Sequence, residues 1–441
     1  MYSGAFCFEE EEGLAPAAAH RAPAAAPADD QLPAATVAPP PERGPPPALP
    51  APRPLVYVRS DRLAQLSAGL PINRDRSVMT DTLVEDYGLL QDAAVRQAPP
   101  ASLEQLQGYH SREYLAALAH WDKLSERRRA AYGLEDDCAP FPGLYEHAAL
   151  TAGGSLAAAE ALCAGEARLA VHWDGGRHHA GKGKAAGFCY VNDVVLAILR
   201  LLSSFRRVLY LDVDVHHGDA AFLLSPRVLT ISLHKAAPGF YPGTGALGAG
   251  GEGTGRGFAL NLPLGDGLRD NPFLQAVAAL AGGAAAAFQP DVVVLQCGVD
   301  GLAHDPLAGS WSLTPAAYAR AAELAASWGR PLLLLGGGGY CAAAAAATWT
   351  GVLAQLLGKA PLPDDIPAEH EYLDRYGPSY TLSAVIKRLL PPDTNDASAV
   401  LAACEGLLAE LRSALARQAR HGGSGAAAAA QQKPDCKRAR S

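Results

Sequence analysis

The sequence predicts an α/β protein with a central, mostly parallel β-sheet that is flanked by helices. From residue 168 onward, short apolar runs alternate with helical segments or long loops. Such alternation is typical of parallel strands joined by helical crossovers. Several runs are continuously apolar, such as VLYL at 208–211 and LLLL at 332–335. Continuous apolar runs are expected of strands that are covered on both faces.

The composition limits the class of protein. The chain has 441 residues, of which 49% are hydrophobic, and a formal net charge of −8. A dedicated nucleic-acid binder needs a basic face, so direct nucleic-acid binding is not expected. The eight cysteines contain no CxxC pair, which argues against a zinc finger, and their scatter indicates reduced thiols in an intracellular protein. We identify neither a signal-peptide pattern nor an apolar run of about 20 residues, so no membrane association is expected.

The chain begins with a segment rich in Ala and Pro over 1–53, which has little to bury and is predicted to be a disordered tail. One folded domain follows over 54–395, then a C-terminal helix over 396–421 and a flexible basic tail over 422–441. Helices are predicted over 76–90, 102–110, 111–120, 144–165 and 397–419. Strands are predicted over 55–58, 169–173, 208–213, 228–233, 258–262, 292–296 and 332–335.

Polar or glycine-rich sequence follows five of these strands. It occupies positions 174–179, 212–219, 234, 300 and 336–340. Ligands of open parallel sheets bind outside the carboxyl ends of the strands. The five strand ends therefore predict one shared site.

The segment VLYLDVDVHHGD at 208–219 supplies most of the polar groups. Alternation along an extended chain would put Asp212, Asp214 and His216 on one side. Burying them without partners would cost several kcal/mol each, whereas a divalent metal uses carboxylate and imidazole as ligands. Alone, the segment fits a metal site and a polar surface loop equally well. The convergence of strand ends favours the metal site.

Asp214, His216 and Asp300 together would hold a zinc-like ion and leave a coordination position open, as in catalytic sites. Such an ion lowers the pKa of bound water and polarises a carbonyl oxygen. The adjacent histidines His178 and His179 would serve as general base and acid. Without a neighbouring metal motif, they would be interpreted as capping or core histidines.

The run GGGGY ending at Tyr340 directly follows a strand. Glycines let the backbone approach a ligand closely, and the Tyr340 hydroxyl could then donate to a developing oxyanion. A phosphate-binding loop is the alternative. It is disfavoured because no Lys-Ser/Thr follows and no GxGxxG occurs.

In chain order, the motifs GGRHHAGK, GFCYVND, LDVDVHHGD, SLHKAAPGFYPGTG, QCGVD and GGGGY resemble those of the zinc-dependent histone deacetylases of class I. The resemblance extends over about 55–393 and implies an arginase–deacetylase fold, with a deacetylase catalytic domain over 54–395. It implies metal ligation by Asp214, His216 and Asp300. The metal would be Zn²⁺, with Fe²⁺ as the alternative in vivo.

The resemblance also assigns the other site residues. His179 would be the general base and acid, Asp212 would pair with His178, Asp219 would pair with His179, and Tyr340 would bind the acetyl carbonyl oxygen. Substrate contacts would come from Asp137 at the rim and from Gly187, Phe188, Tyr241 and Leu307 along the tunnel. Arg76 would lie beneath the catalytic chamber. A monovalent cation such as K⁺ would lie near Asp212, Asp214, His216, Ser232 and Leu233.

The implied reaction is hydrolysis of Nε-acetyl-lysine in proteins by a metal-activated water. Acetylated histone tails are the expected substrates, corepressor proteins the expected partners, and the nucleus, with the cytoplasm, the expected location. Arg177 and Tyr241 depart from the residues usual in the family and bear on substrate preference. Two other functions are open: an acetylpolyamine amidohydrolase and an inactive scaffold.

Overall fold

The computed structural model describes residues 55–218, 221–308, 310–383 and 391–430, with side chains described as far as residue 420. It confirms the predicted α/β class. Eight strands form one sheet in the order β2-β1-β3-β8-β7-β4-β5-β6, and every neighbouring pair is parallel. The strands are β1 (Leu55–Arg59), β2 (Ala93–Gln97), β3 (Leu169–His172), β4 (Val208–Asp212), β5 (Val228–Lys235), β6 (Ala259–Leu264), β7 (Val292–Gln296) and β8 (Leu332–Leu335).

Helices connect the strands and cover both faces of the sheet. They are α1 (Asp61–Ser67), α2 (Arg76–Asp86), α3 (Leu103–Leu106), α4 (Arg112–Ala119), α5 (Glu126–Ala131), α6 (Leu144–Cys163), α7 (Asp193–Leu201), α8 (Asp270–Ala276), α9 (Gly283–Phe288), α10 (Pro315–Ser327), α11 (Ala342–Leu356) and α12 (Ala397–Ala430). Side chains cap several of them. For example, Ser102 and Gln105 form a capping box at α3, and Asn192 caps α7 by accepting from the Val195 N–H.

Alternation along each strand divides the core between the two faces. In β4, Leu209 and Leu211 belong to the cluster that α10, α11 and α12 cover. Val208 and Tyr210 point the other way, into the cluster covered by α6 and α7. Full burial of one such aliphatic side chain contributes roughly 1.5–3 kcal/mol. Both faces of the sheet are buried, which explains why these strands are continuously apolar.

Strand β2 was not predicted from the sequence. Its residues AAVRQ are partly or fully exposed and lack the alternation of a half-buried strand. The strand exists because it pairs in parallel with β1, with Leu55 opposite Ala93. Helix α12 also continues to Ala430, beyond the predicted end at 419.

Two findings bear on the expectations that no apolar run is long enough to span a membrane and that the cysteines are reduced. The helical segment Asp270–Phe288 is long and apolar enough to span a membrane by length and composition alone. It nevertheless contributes buried side chains such as Phe273 and Phe288 to the main core cluster, so we interpret it as a core helix. Among the described cysteines, Cys341 is disulfide-bonded. The free thiols are Cys138, Cys163, Cys189, Cys297 and Cys404.

Candidate active site

The predicted site residues meet at the carboxyl edge of the sheet. Asp212, Asp214 and His216 lie at or beyond the end of β4, and Asp300 lies beyond β7. His178 and His179 follow β3, and Tyr340 follows β8. The predicted partner of His179, Asp219, lies outside the described residues.

Asp214, His216 and Asp300 form a buried cluster whose ligand atoms all lie within 4.8 Å of one another. His216 Nδ1 is 2.9 Å from Asp300 Oδ2 and 3.2 Å from Asp214 Oδ1. Two carboxylates and one imidazole converging on a point are a donor set that suits a divalent metal.

Hydrogen bonds from the protein orient both carboxylates. Asp214 Oδ2 accepts hydrogen bonds from the Gly338 N–H at 2.7 Å and from Gln296 Nε2 at 2.9 Å. Asp300 Oδ1 accepts from the Val215 N–H at 2.9 Å. The other oxygens, Asp214 Oδ1 and Asp300 Oδ2, face His216 Nδ1, and Asp214 Oδ1 also accepts from the His216 backbone N–H at 3.0 Å. The outer contacts therefore orient the carboxylates toward a common point, as they do in metal sites.

Gly338 allows this close approach. A Cβ at that position would lie 2.0 Å from Asp300 Oδ2 and 2.9 Å from Asp214 Oδ2. Only a residue without a side chain can bring its N–H so near both carboxylates.

His178 lies against the carboxylate at the end of β4. Its Nδ1 is 2.8 Å from Asp212 Oδ2, and the same oxygen accepts from the Tyr210 hydroxyl at 2.6 Å. Burial lowers the pKa of His178, but the charges of Asp212 and Asp214 outweigh burial and raise the pKa to about 9. In the metal-free protein this ring is protonated at neutral pH.

His179 has the opposite electrostatic environment. Burial, followed by the positive charges of His178 and His216, holds its pKa well below the usual range. Its Nδ1 is buried and has no hydrogen-bond partner among the described residues. The ring packs edge-on against Tyr241, with centroids 5.0 Å apart. His179 is therefore a neutral imidazole that packs against the aromatic ring of Tyr241.

Tyr340 lies beside His216, with the ring centroids 6.5 Å apart. Its backbone N–H donates to Asp305 Oδ2 at 2.6 Å, which fixes the turn that carries it. Burial and the nearby carboxylates of Asp300 and Asp214 raise the pKa of Tyr340 well above its usual value. The hydroxyl therefore stays protonated and can donate a hydrogen bond.

The predicted tunnel residues form a tight turn beside the centre. Gly187 and Phe188 both have positive φ angles, +55° and +61°, within a turn closed by hydrogen bonds between Ala186 and Cys189. The Gly187 N–H donates to Asp137 Oδ2 at 3.0 Å. Asp137 therefore lies beside this turn and supports it through one carboxylate oxygen, and its contact with substrate stays a prediction.

Aromatic rings line the approach to the site. Phe188 packs against Tyr340 with ring centroids 5.6 Å apart, and Tyr241 contacts the ring of His179. Leu307 lies farther out and is 36% exposed. Phe240 was missed by sequence analysis, although its ring stacks on His216 at 5.1 Å with an interplanar angle of 4°. Nothing distinguishes it in the sequence from its neighbour Tyr241.

Other supporting residues were also missed. Gln296 and Tyr210 hold the carboxylates, while Asp305 anchors Tyr340. Asn192 donates through Nδ2 to the carbonyls of His178 and Ala180, each at 3.2 Å. Gln296 begins the motif QCGVD, so a polar residue ending an apolar strand was the available signal.

The residues predicted near a monovalent cation lie at the adjacent ends of β4 and β5. Asp212 and Ser232 are register partners, and Asp212 Oδ1 accepts from the Asp214 N–H at 3.1 Å. A small cavity, lined among others by Asp212, Ser232 and Asn261, lies beside them. Apolar side chains such as Val195, Ile198 and Phe222 line the rest of this cavity.

Comparisons with known proteins agree with this arrangement. Residues 70–356 match the family model described as the histone deacetylase domain. The chain is 38% identical over 355 residues to histone deacetylase 8 of Xenopus tropicalis, covering 78% of this chain and 94% of that protein. It is 40% identical over 353 residues to histone deacetylase 8 of Danio rerio, covering 78% and 91%. Histone deacetylase 1 of Homo sapiens is 38% identical over 335 residues, covering 74% and 69%.

Proposed function

Because the chain belongs to the class I histone deacetylases and is a hydrolase of acetylated amides, we propose that it releases acetate from Nε-acetyl-lysine in proteins, with histone tails as substrates. The parallel sheet has the arginase–deacetylase architecture of that family. The observation that carries the proposal is the buried cluster of Asp214, His216 and Asp300. One oxygen of each carboxylate faces His216 Nδ1.

The family is metal-dependent, and the donor set fits a divalent ion. We propose Zn²⁺ held by Asp214, His216 and Asp300, with Fe²⁺ as the alternative metal. When bound, such an ion would lower the pKa of water and polarise the substrate carbonyl. K⁺ near Asp212 and Ser232 is a further part of the proposal.

The proton transfers are assigned to the histidine pair. His179 is the neutral ring, and its Nδ1 is buried, which leaves Nε2 to take a proton from the attacking water. The same atom then protonates the departing lysine amine. His178, paired with Asp212 through its Nδ1, is proposed to donate a hydrogen bond where negative charge develops. Asp219 is proposed to orient His179.

The remaining residues bind and orient the substrate. The Tyr340 hydroxyl donates to the oxygen that becomes negatively charged. Phe188, Tyr241 and Leu307 are proposed to enclose the lysine methylenes, since the aliphatic stem of lysine packs well on apolar surface. Gly187 keeps this wall close to His179, because a Cβ there would lie 2.5 Å from the ring.

Asp137 is proposed to bind the backbone of the substrate at the rim. Its carboxylate already accepts the Gly187 N–H, and an anionic rim suits a basic histone tail. A nuclear location, with a cytoplasmic fraction, and corepressor partners are proposed from the likeness to histone deacetylases 8 and 1.

The test is turnover of an acetyl-lysine histone peptide by the purified chain as isolated, after chelation, and after addition of Zn²⁺. The proposal expects chelation to abolish activity and Zn²⁺ to restore it. An Asp300→Asn variant should stay inactive at all zinc concentrations. Asp270→Asn changes the same group on α8, where the carboxylate accepts hydrogen bonds from Thr314, and should retain turnover.

An acetylated polyamine is assayed beside the peptide. Turnover of the polyamine without turnover of the peptide would refute the protein-lysine substrate. No turnover of either by folded, zinc-loaded protein would favour a scaffold.

A further inference from the structure

The amino edge of the sheet, opposite the candidate active site, carries a row of arginines. Because all strands are parallel, their first residues lie along one edge, in the order β3-β8-β7-β4-β5 through the middle of the sheet. Arginine precedes four of these strands by one or two residues. We call these residues the amino-edge row: Arg168 before β3, Arg330 before β8, Arg206 and Arg207 before β4, and Arg227 before β5.

None of these guanidinium groups forms a salt bridge with a described carboxylate, since the arginines and lysines that do are other residues. Backbone carbonyls hold the row instead. Arg168 Nη2 donates to the Gly329 carbonyl at 2.7 Å, and Arg227 Nη2 donates to the carbonyls of Leu202 and Phe205 at 2.7 and 3.0 Å. Such contacts fix a guanidinium group but give it no counter-charge.

The described carboxylates near the row do not balance its charge. Asp291 precedes β7 and so lies within the row, and its Oδ2 accepts the backbone N–H groups of Arg206 and Arg207, each at 2.9 Å. Glu166 and Glu160 are salt-bridged to other arginines. This part of the described edge therefore has a net positive charge, although the whole chain has a formal net charge of −8.

The chain also contains a segment of opposite charge that is joined to the same edge. Its longest acidic run is EEEE at 9–12, which lies outside the described residues. The chain leads from this run into β1, which begins at Leu55 and pairs with β3, with Val56 opposite Ala170. The run is therefore connected to the sheet beside Arg168.

The connection is long enough for the run to reach any part of the row. The composition of 1–53 predicts a flexible segment, and a flexible chain of n residues spans about 5–6 Å × √n, or roughly 35 Å for positions 13–54. The row extends over four strand spacings of about 4.8 Å, roughly 19 Å in all. A run joined in this way has an effective concentration on the order of 1 mM at the row.

We propose that the acidic run at 9–12 binds the amino-edge row of the same chain and keeps other polyanions away from it. Carboxylates match the forked donors of guanidinium groups in charge and geometry. Single exposed ion pairs are weak, so binding needs several at once, which four consecutive glutamates supply. An acidic partner protein or a nucleic acid offers the same charge without the covalent link. The inference does not depend on the proposed function, because the row and the candidate active site lie at opposite edges of the sheet.

The experiment measures how fast individual arginines of the full chain react with phenylglyoxal at low ionic strength, by mass spectrometry of their peptides. Wild type is compared with a run-neutral variant that carries Glu9→Gln, Glu10→Gln, Glu11→Gln and Glu12→Gln. Arg168 and Arg206 are exposed, and we expect both to react about three- to tenfold faster in the run-neutral variant, as loss of several weak ion pairs predicts. About 0.5 M salt should remove the difference, because it screens exposed charges.

The matched control removes the same charge near the opposite edge, from exposed acids at α3, α4 and α5. It carries Glu104→Gln, Glu113→Gln, Asp122→Asn and Glu126→Gln. Helix α4 starts beside the loop that follows the histidine pair, where the Ser111 N–H donates to the Lys182 carbonyl at 2.9 Å. This control should leave the row as slow to react as in wild type, and all variants should keep the unfolding transition of the wild type.

A short labelled DNA duplex tests whether the run keeps polyanions from the row. The run-neutral variant should bind the duplex about tenfold more tightly than wild type at low ionic strength, and adding Arg168→Gln and Arg206→Gln should remove the gain. Equal reactivity of the row in wild type and the run-neutral variant overturns the inference. Faster reaction in the matched control also overturns it, because net charge alone would then govern the rate. Equal duplex affinity of wild type and the run-neutral variant would leave the row open to nucleic acid and would overturn it as well.

Discussion

Replacing Gly338 by alanine should disrupt the candidate metal centre without unfolding the protein. The new Cβ would lie 2.0 Å from Asp300 Oδ2 and 2.9 Å from Asp214 Oδ2. Non-bonded atoms prefer roughly 3.5 Å, so the carboxylate or the turn must move by about 1 Å or more. Metal–ligand distances tolerate only about 0.2 Å. A misplacement of about 1 Å in a catalytic group costs about 100-fold in rate, and we expect at least that loss.

The assay is kcat/KM on an acetyl-lysine peptide in zinc-buffered solution, with the zinc dissociation constant measured by competition with a chelator. Gly351→Ala is the matched control. Gly351 lies in α11, and an added Cβ there meets nothing within 4 Å. The control should keep full activity and the unfolding transition of the metal-free wild type. Gly338→Ala should still unfold cooperatively, with a loss of about 1–3 kcal/mol in the free energy of unfolding from overpacking. If Gly338→Ala kept both zinc affinity and kcat/KM near wild-type values, the proposed metal centre would be wrong.

Three further outcomes are expected. Tyr340→Phe should lower kcat about 100- to 1000-fold with little change in KM, as loss of an oxyanion donor does. A variant with unchanged kcat and a raised KM would contradict that role. Burial lowers the pKa of His216, but the neighbouring carboxylates outweigh burial and raise the pKa to about 10. Below that pH a metal must displace a proton from the ring, so zinc affinity should rise with pH toward 10. Zinc affinity that calorimetry in two buffers finds independent of pH would refute this expectation. Leu411→Ala, at a fully buried position of α12, should reduce the free energy of unfolding in denaturant titrations by about 2–5 kcal/mol. Leu401→Ala, at an exposed position of the same helix, should change it by less than about 0.5 kcal/mol.

The sequence was most informative where one local pattern had one structural solution. The apolar runs at β4 and β8 are buried on both faces, so they could not be helices of an ordinary amphipathic kind. Because all strands of a parallel sheet end at the same edge, the polar groups that follow them had to meet. This reasoning brought Asp214, His216 and Asp300 together before any coordinates, and the cluster exists.

Features that depend on pairing or packing were not accessible in this way. Strand β2 has no apolar alternation, and only its pairing with β1 makes it a strand. Phe240 and Tyr241 are adjacent aromatic residues, and the sequence does not indicate which ring stacks on His216. The hydrogen bond from Gln296 to Asp214 spans 82 positions of the chain. Such contacts follow from the completed fold rather than from any local motif.

The contrast between His178 and His179 also follows from contacts of the completed fold and not from a local motif. The two residues are adjacent and chemically identical, and both are buried. His178 reaches Asp212, which the end of β4 presents to it, so its positive charge is stabilised. His179 faces the aromatic wall and two neighbouring cationic rings, so its positive charge is destabilised. In the metal-free protein a cationic ring therefore lies beside a neutral one, and the proposed proton transfers use the neutral ring. The fold therefore gives two adjacent histidines different electrostatic environments, because the end of β4 presents Asp212 to His178.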